Sequence, residues 1–448
     1  MVVTAPPTLR ESSIRLLQGL LRCDTQSPPG NEIRAAEYIR GALAEAGIDC
    51  TFVESAPGRV SVVARLNAAQ PEGKPVAMMG HIDVVPVERD KWDRDPFSGD
   101  IVDGFVWGRG ACDMKGQIAA ELAAFIAIYQ SGIELKRDLV FIGFADEEEG
   151  GAFGARYVWK NHRDLIDVEF AINEGGGGPM MIGDRLFFTC QVGLKGKCPL
   201  RMTVRGEPGH ASMPKTDTAM EKLGLALQRL HEWSPATIIT KTVRLKLETM
   251  QQALGGESAQ KIEAIPESGE LSLEDARSLP LTSVDQVALW ATTHNTIRPT
   301  IVHGGDVLNV IPSEITVDMD TRLLPGVDPE AFRQEIQDAV GDLAEIRFLS
   351  EMQDAGIEAD PASPFFDAIQ ETMAELHPGA SIIPEMTFAS TDAINLPGIK
   401  VYGFFPIPPS DRLPLYQGLA HGHNERLHVD DLGFGAEFYY HLAARMCS

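Results

Sequence analysis

Three apolar stretches of this chain end abruptly in groups that can do chemistry. PVAMMG (75–80) is followed by His81 and Asp83, DLVFIGFA (138–145) by Asp146, Glu147, Glu148 and Glu149, and VEFAIN (168–173) by Glu174. A fourth stretch, WGRGACDMKG (107–116), carries Asp113 close behind a pair of glycines. Consecutive carboxylates repel one another unless cations neutralise them, and divalent ions supply the largest local charges available to a protein. One acid of the 146–149 run could then bind an ion while its neighbour reaches a water that the ion activates; the alternative is a solvated acidic turn. His81 and Asp83 stand two apart on extended chain and point to one side. That suits an imidazole ligand with a carboxylate tuning its ring, against the alternative of a surface turn. Asp113 either caps the helix that follows it or is held near His81, where it could bridge two cations. The Gly108–Arg109–Gly110 triplet is not a dinucleotide fingerprint, because Asp113 stands where the third glycine is required, and no GK[ST] follows.

The elements that must position these groups read as alternating strands and helices. Helical periodicity covers 8–22 and 32–47, separated by the turn SPPGN at 27–31, and the alanine-rich segment 115–130 reads as a third helix. The apolar runs at 75–80, 138–145 and 168–173 read as buried strands of an α/β sheet covered on both faces. Ligands in such sheets gather outside the carboxyl ends of the strands, which is where His81, the acidic run and Glu174 fall. From about residue 196 the pattern changes to that of a small two-layer α+β domain. It has strands within 196–206, 315–326 and 345–350 and helices at 218–233 and 329–341. Residues 250–300 read as an irregular, Ser-, Glu- and Pro-rich elaboration. The α/β character returns from 364. The expected division is 1–195 and 356–448 for the α/β domain, interrupted by 196–355.

The chain has 448 residues, ample for two cores. Its 64 acids against 39 bases give a net charge of -25, which argues against nucleic acid and anionic membrane surfaces as partners. No secretory leader or membrane span is read, and the six cysteines form no CxxC pair, so a cytoplasmic protein with reduced thiols is expected.

GHIDVVPV (80–87), PFSGDIVDGFVWGRGACDMKG (96–116), ADEEEGG (145–151), INEGGG (172–177), GHASMP (209–214), NVIP (309–312), DTRLLPG (320–326) and HGHNERL (421–427) occur in this order. Together they resemble the two-zinc amidohydrolase and metallopeptidase family of aminoacylase-1, carboxypeptidase G, carboxypeptidase S, acetylornithine deacetylase and succinyl-diaminopimelate desuccinylase. The likeness spans nearly the whole chain. It implies a mixed-sheet catalytic domain and a smaller ferredoxin-like lid and dimerisation domain, hence a homodimer. It implies two divalent ions, zinc first and cobalt or manganese also fitting. His81 and Glu174 would hold one ion, Glu148 and His421 the other, and Asp113 would bridge them, with a cis peptide at Asp113–Met114. Glu147 would be the general base and Asp83 the carboxylate behind His81. His423 lies two residues from His421, but the family pattern H-x-x-[ND]-E aligns on His421, Asn424 and Glu425. From the second domain His210 would contact the oxyanion, and Arg322, Asn309 and the backbone at Gly305 would contact a small-molecule substrate. Ser390 stands where the family more often has glycine before Thr-Asp, and that segment is given no role. In the family a glutamate at position 174 accompanies deacylases and carboxypeptidases, an aspartate the aminopeptidase-like and dipeptidase members. The implied activity is cleavage of an N-acyl amino acid or a C-terminal peptide bond, with a free-amine dipeptidase or aminopeptidase as the alternative.

Overall fold

The computed structural model describes residues 4–213, 215–350, 354–416 and 418–448; Pro214 of GHASMP lies outside them. Two compact units are present, one of Met1–Val192, Ala359–Glu385 and Thr391–Ser448, the other of Gly193–Glu358 and Met386–Ser390. Among the described residues no helix is long and apolar enough to cross a membrane.

The first unit is built on a mixed sheet. Its middle strands run side by side in the order Leu139–Phe144, Val76–His81, Phe170–Asn173 and Lys400–Gly403, all parallel. Every residue of Val76–His81 and Leu139–Phe144 is buried, which explains why these strands read as continuous apolar runs without alternation. The antiparallel hairpin Cys50–Ala56 and Arg59–Leu66 extends the sheet on the side of Leu139–Phe144. The helix Lys115–Ser131 packs on Val76–His81 and Leu139–Phe144 and is itself flanked by Leu9–Leu21 and Val429–Cys447. Covered on all sides, it is apolar around most of its circumference, and its alanines let neighbouring backbones approach. It stops at Gly132, which takes the left-handed conformation (φ 68°) that glycine adopts without steric cost.

The second unit has an antiparallel sheet in the order Thr296–His303, Glu314–Leu323, Leu200–Arg205 and Glu345–Phe348. In chain order this is strand, helix, strand, strand, helix, strand, the split βαβ arrangement. The helices Ala219–Glu232 and Pro329–Val340 cover one face and share a core with Met202, Val317, Phe332 and Ile346. The expectation of an irregular 250–300 segment is overturned. Helices occupy Lys241–Ala253, Gly256–Ser268, Leu273–Arg277 and Ser283–Ala291. Three of them start at side-chain N-caps, Thr240, Ser272 and Thr282. The same Ser/Thr content that suggested loops supplies the caps.

Candidate metal centre

Parallel neighbours bring their carboxyl ends to one edge of the sheet. The register pairs Gly80 with Gly143 and His81 with Phe144 on one side, and Met78 with Ile172 on the other. Continued by two residues, the second register brings Glu174 level with Gly80. Asp113 and His421 arrive on loops. His81 Nε2 lies 3.1 Å from Asp113 Oδ1 and 3.8 Å from Glu174 Oε2. His421 Nε2 lies 3.2 Å from Asp113 Oδ2 and 3.0 Å from Glu148 Oε2. His81, Asp113 and Glu174 thus form one potential ligand triad and Asp113, Glu148 and His421 another, the donor atoms of each within 4.8 Å of one another. Asp113 presents one carboxylate oxygen to each triad. The two rings of the competing histidines separate cleanly: His423 Nε2 pairs with Glu88 at the surface, 3.0 Å away.

The turn after Leu139–Phe144 explains how four acids fit together. They are not extended. Asp146 takes a left-handed φ of 68° and Glu147–Glu149 form a single 3-10 turn. Asp146 turns inward to pair with Arg59, which also binds Glu32 and Ser27. Asp83 accepts the backbone N–H of Glu147 (3.1 Å) and of Glu148 (3.2 Å). Its carboxylate is 3.5 Å from His81 Nδ1, whereas its backbone carbonyl is 3.0 Å away. Asp83 therefore orients the ring mainly through its main chain and spends its carboxylate on the acidic turn. Among the described residues the Glu147 carboxylate makes no hydrogen bond.

Asp113 does not cap the following helix: Met114 occupies the position before Lys115, with no side-chain cap, and the Asp113–Met114 peptide is cis. The loop is held instead by Glu425, fully buried, which accepts the N–H groups of Gly110 (2.9 Å), Cys112 (2.7 Å) and Asp113 (3.0 Å) and pairs with Arg109 at 2.6 Å. Its role as anchor is invisible in sequence, where it is one acid within HGHNERL. A second such residue is Asp392, in the STDA segment that sequence gave no role. It is buried, with neither carboxylate oxygen hydrogen-bonded.

The electrostatics are those of a site that needs cations. Burial raises Glu147 and Glu174 well above the usual carboxylate range, with the charge of Glu174 adding at Glu147 and those of Asp113, Asp392 and Glu148 adding at Glu174, and lifts Glu148 to about 7 and Asp392 to about 8. Burial disfavours the charged His81 ring, but Glu174, Asp113 and Asp83 together outweigh it and hold the pKa well above its ordinary value. The hydrogen bond to Asp113 raises His421 to about 9. A divalent ion in each triad would take the place of those bound protons. The donor set of imidazole nitrogens and carboxylate oxygens fits such an ion, and the buried Glu148 Oε1 without a hydrogen-bond partner is one of several spare donors.

In the second unit His210 pairs with Val310 in a two-residue ladder, and Asn309 accepts the N–H of Ala211, so His210 and Asn309 are brought together. Gly305, with a φ of 81°, opens the same loop. Arg322 is further along, its guanidinium bound through two atoms to Asp320 (2.9 and 3.1 Å).

A mixed α/β unit in which parallel strand ends and two loops bring together two histidine–carboxylate triads defines the class of metal-dependent hydrolases. The chain belongs to peptidase family M20/M25/M40, which it matches over residues 77–445. It is 27% identical over 455 residues to aminoacylase-1A of Rattus norvegicus, covering 100% of this chain and 98% of that one. It is 28% identical over 381 residues to a probable carboxypeptidase S-like protein of Dictyostelium discoideum, covering 82% and 71%. Among solved structures it resembles an M20 family metallo-carboxypeptidase of Sulfolobus solfataricus, with a TM-score of 0.69, 19% identity and coverage of 96% and 98%. The dipeptidase Dug1p of Saccharomyces cerevisiae shares the fold at a TM-score of 0.63 and 17% identity, covering 98% and 97%. The chain is an enzyme of this family, a hydrolase of N-acyl amino acid or peptide amide bonds.

Proposed function

We propose that the enzyme is a deacylase or carboxypeptidase using two divalent ions, with Glu147 as the proton carrier. The observation that carries this reading is the sharing of Asp113 between two triads, with an unengaged Glu147 on the same turn as Glu148. His81 and Glu174 would hold one ion and Glu148 and His421 the other, with Asp113 serving both; zinc suits the mixed donors, and cobalt or manganese also fit. Two ions so bound polarise an amide carbonyl and make water nucleophilic near neutral pH. Glu147 takes the proton from the attacking water and delivers it to the leaving nitrogen. Asp83 fixes both the His81 ring and the turn that aims Glu147.

The family resemblance assigns His210 as donor to the developing oxyanion, and its hydrogen bonding supports the assignment. Nδ1 accepts from the backbone N–H of Ser212 at 3.2 Å, which leaves the ring proton on Nε2, free to donate. Arg322, Asn309 and the Gly305 backbone would hold the substrate, an arginine matching a free carboxylate. Glu174 favours substrates with a blocked amine or a C-terminal amide over free dipeptides. We place the enzyme in the cytoplasm, since all six cysteines are free. We also propose that it works as a homodimer through the second unit, whose edge strand Thr296–His303 exposes Ile301 (49%) and Val302 (57%) beside a fully exposed Leu308.

Hydrolysis of N-acetyl, N-succinyl and N-formyl amino acids, folate-like γ-glutamates, and blocked and free dipeptides after zinc or cobalt reconstitution tests the reading. Cleavage of blocked substrates only, with two metal ions bound per chain, is expected; cleavage of free dipeptides only would select the dipeptidase alternative. Glu147→Gln should keep both ions and lose about 10²–10⁴-fold or more in turnover; near-normal turnover would remove Glu147 as the base.

A further inference from the structure

The second unit carries an open trough of about 680 Å³, most of whose lining has no part in the metal centre. One wall is the helix Ser283–Ala291, which sets Val284, Val287, Ala288 and Ala291 at i, i+3, i+4 and i+7 along the trough. Phe388 adds an aromatic ring. Val284 is 75% exposed, Val287 45% and Phe388 54%, so the lining is apolar and uncovered.

The floor is the face of the sheet that turns away from the core. The register sets Thr296 opposite Arg322 and Arg298 opposite Asp320, which puts both arginines on that face. Lys195 lies beneath. Its Nζ donates to the carbonyls of Ala291 (3.0 Å) and His294 (2.7 Å) and to Thr296 Oγ1 (3.1 Å), fastening the end of the helix to the sheet. Two arginines thus line the trough against one carboxylate, Asp320, in a chain whose net charge is -25. Arg322 is paired with Asp320, but among the described residues Arg298 has no ion-pair partner and is exposed. The excess positive charge is felt by Lys195, which burial, with Arg322 and Arg298 adding to it, pushes down to about 7.

We propose that this trough binds a carboxylate that carries a long apolar chain, the head on Arg298 and the chain along Val284, Val287 and Phe388, with Arg322 held beside it by Asp320 and the Phe388 carbonyl (3.3 Å). The polarity excludes a cationic amphiphile, and the continuous apolar wall excludes a small polar anion as the preferred ligand. An N-acyl amino acid with an apolar acyl group or side chain belongs to this class; on the reading of the enzyme as a deacylase or carboxypeptidase, the trough would select among its substrates. Binding itself needs neither the metal ions nor turnover.

The test is binding of hexanoate, octanoate, decanoate and dodecanoate to the chelated full-length protein, by calorimetry, with dodecanol and dodecyltrimethylammonium as comparisons. Affinity should rise about three- to fourfold per added methylene until the trough is full, with dodecanoate preferred to both comparisons. Val287→Glu should weaken dodecanoate at least about tenfold, and Arg298→Ala should abolish the preference over dodecanol; both side chains are exposed, and circular dichroism would verify folding. Affinity independent of chain length, equal binding to the Val287→Glu protein, or equal binding of the cationic amphiphile would each overturn the proposal. A Glu147→Gln protein with normal turnover would refute the hydrolytic assignment and leave this binding result standing.

Discussion

Asp113 is where single-residue chemistry concentrates, because each of its oxygens serves a different triad and its backbone N–H is spent on Glu425. In the metal-free protein the surrounding groups hold protons that the unfolded chain has released. Glu148 titrates near 7 when folded instead of 4.5, and His421 near 9 instead of 6.5. The contribution from Glu148 is complete below pH 4.5 and is lost as pH rises through about 7; that from His421 is complete below 6.5 and is lost through about 9. The metal-free enzyme should therefore lose stability from pH 5 to 7, and the rise in melting temperature on adding zinc should grow over the same interval. An equal rise at both pH values would contradict the proton-for-metal exchange. Glu425→Ala leaves three backbone N–H groups and the buried Arg109 without their acceptor. It should cost about 3–5 kcal/mol and release metal, read by denaturant melting and by metal analysis. Sequence shows the types at 81, 113, 148, 174 and 421 because they follow apolar runs or sit in recognisable motifs. It marks Glu425 only as a motif position and is silent on Asp392, because what distinguishes them is a demand made by backbone atoms or by burial far away along the chain.

Just beyond the 146–151 turn the backbone packs with no room for a methyl group. A Cβ on Gly154 would stand 1.6 Å from the Ala145 carbonyl oxygen, a backbone atom that cannot step aside. Gly154→Ala should destabilise the protein by about 1–3 kcal/mol and impair turnover by displacing Glu147. Gly224, within Ala219–Glu232, has nothing within 4 Å of an added Cβ, and Gly224→Ala should stabilise by about 0.4–1 kcal/mol. Thermal melts of the two variants separate them, and a neutral Gly154→Ala would show that the turn has slack. The buried strands were legible at this scale because uninterrupted apolar runs have few other uses. The 241–291 helices were not, since a helix started by Ser or Thr caps and resting on one narrow apolar stripe looks, in composition, like a loop.

At the scale of the molecule, the α/β class and a second α+β unit follow from where the hydrophobic period changes, near 196 and again near 364. Assembly does not follow from periodicity, because an edge strand looks the same in sequence whether it meets water or a second chain. If the proposed dimer forms along Thr296–His303, Val302→Lys should give a monomer by light scattering, and an unchanged mass would remove that edge from the interface. The Glu425 anchor also has a consequence for biosynthesis. The loop bearing Asp113 is completed by a residue translated 312 positions later. A ribosome-bound chain short of that point holds an unfinished centre and an unpaired Arg109, so the nascent protein is inactive until Glu425 has been made and has folded back.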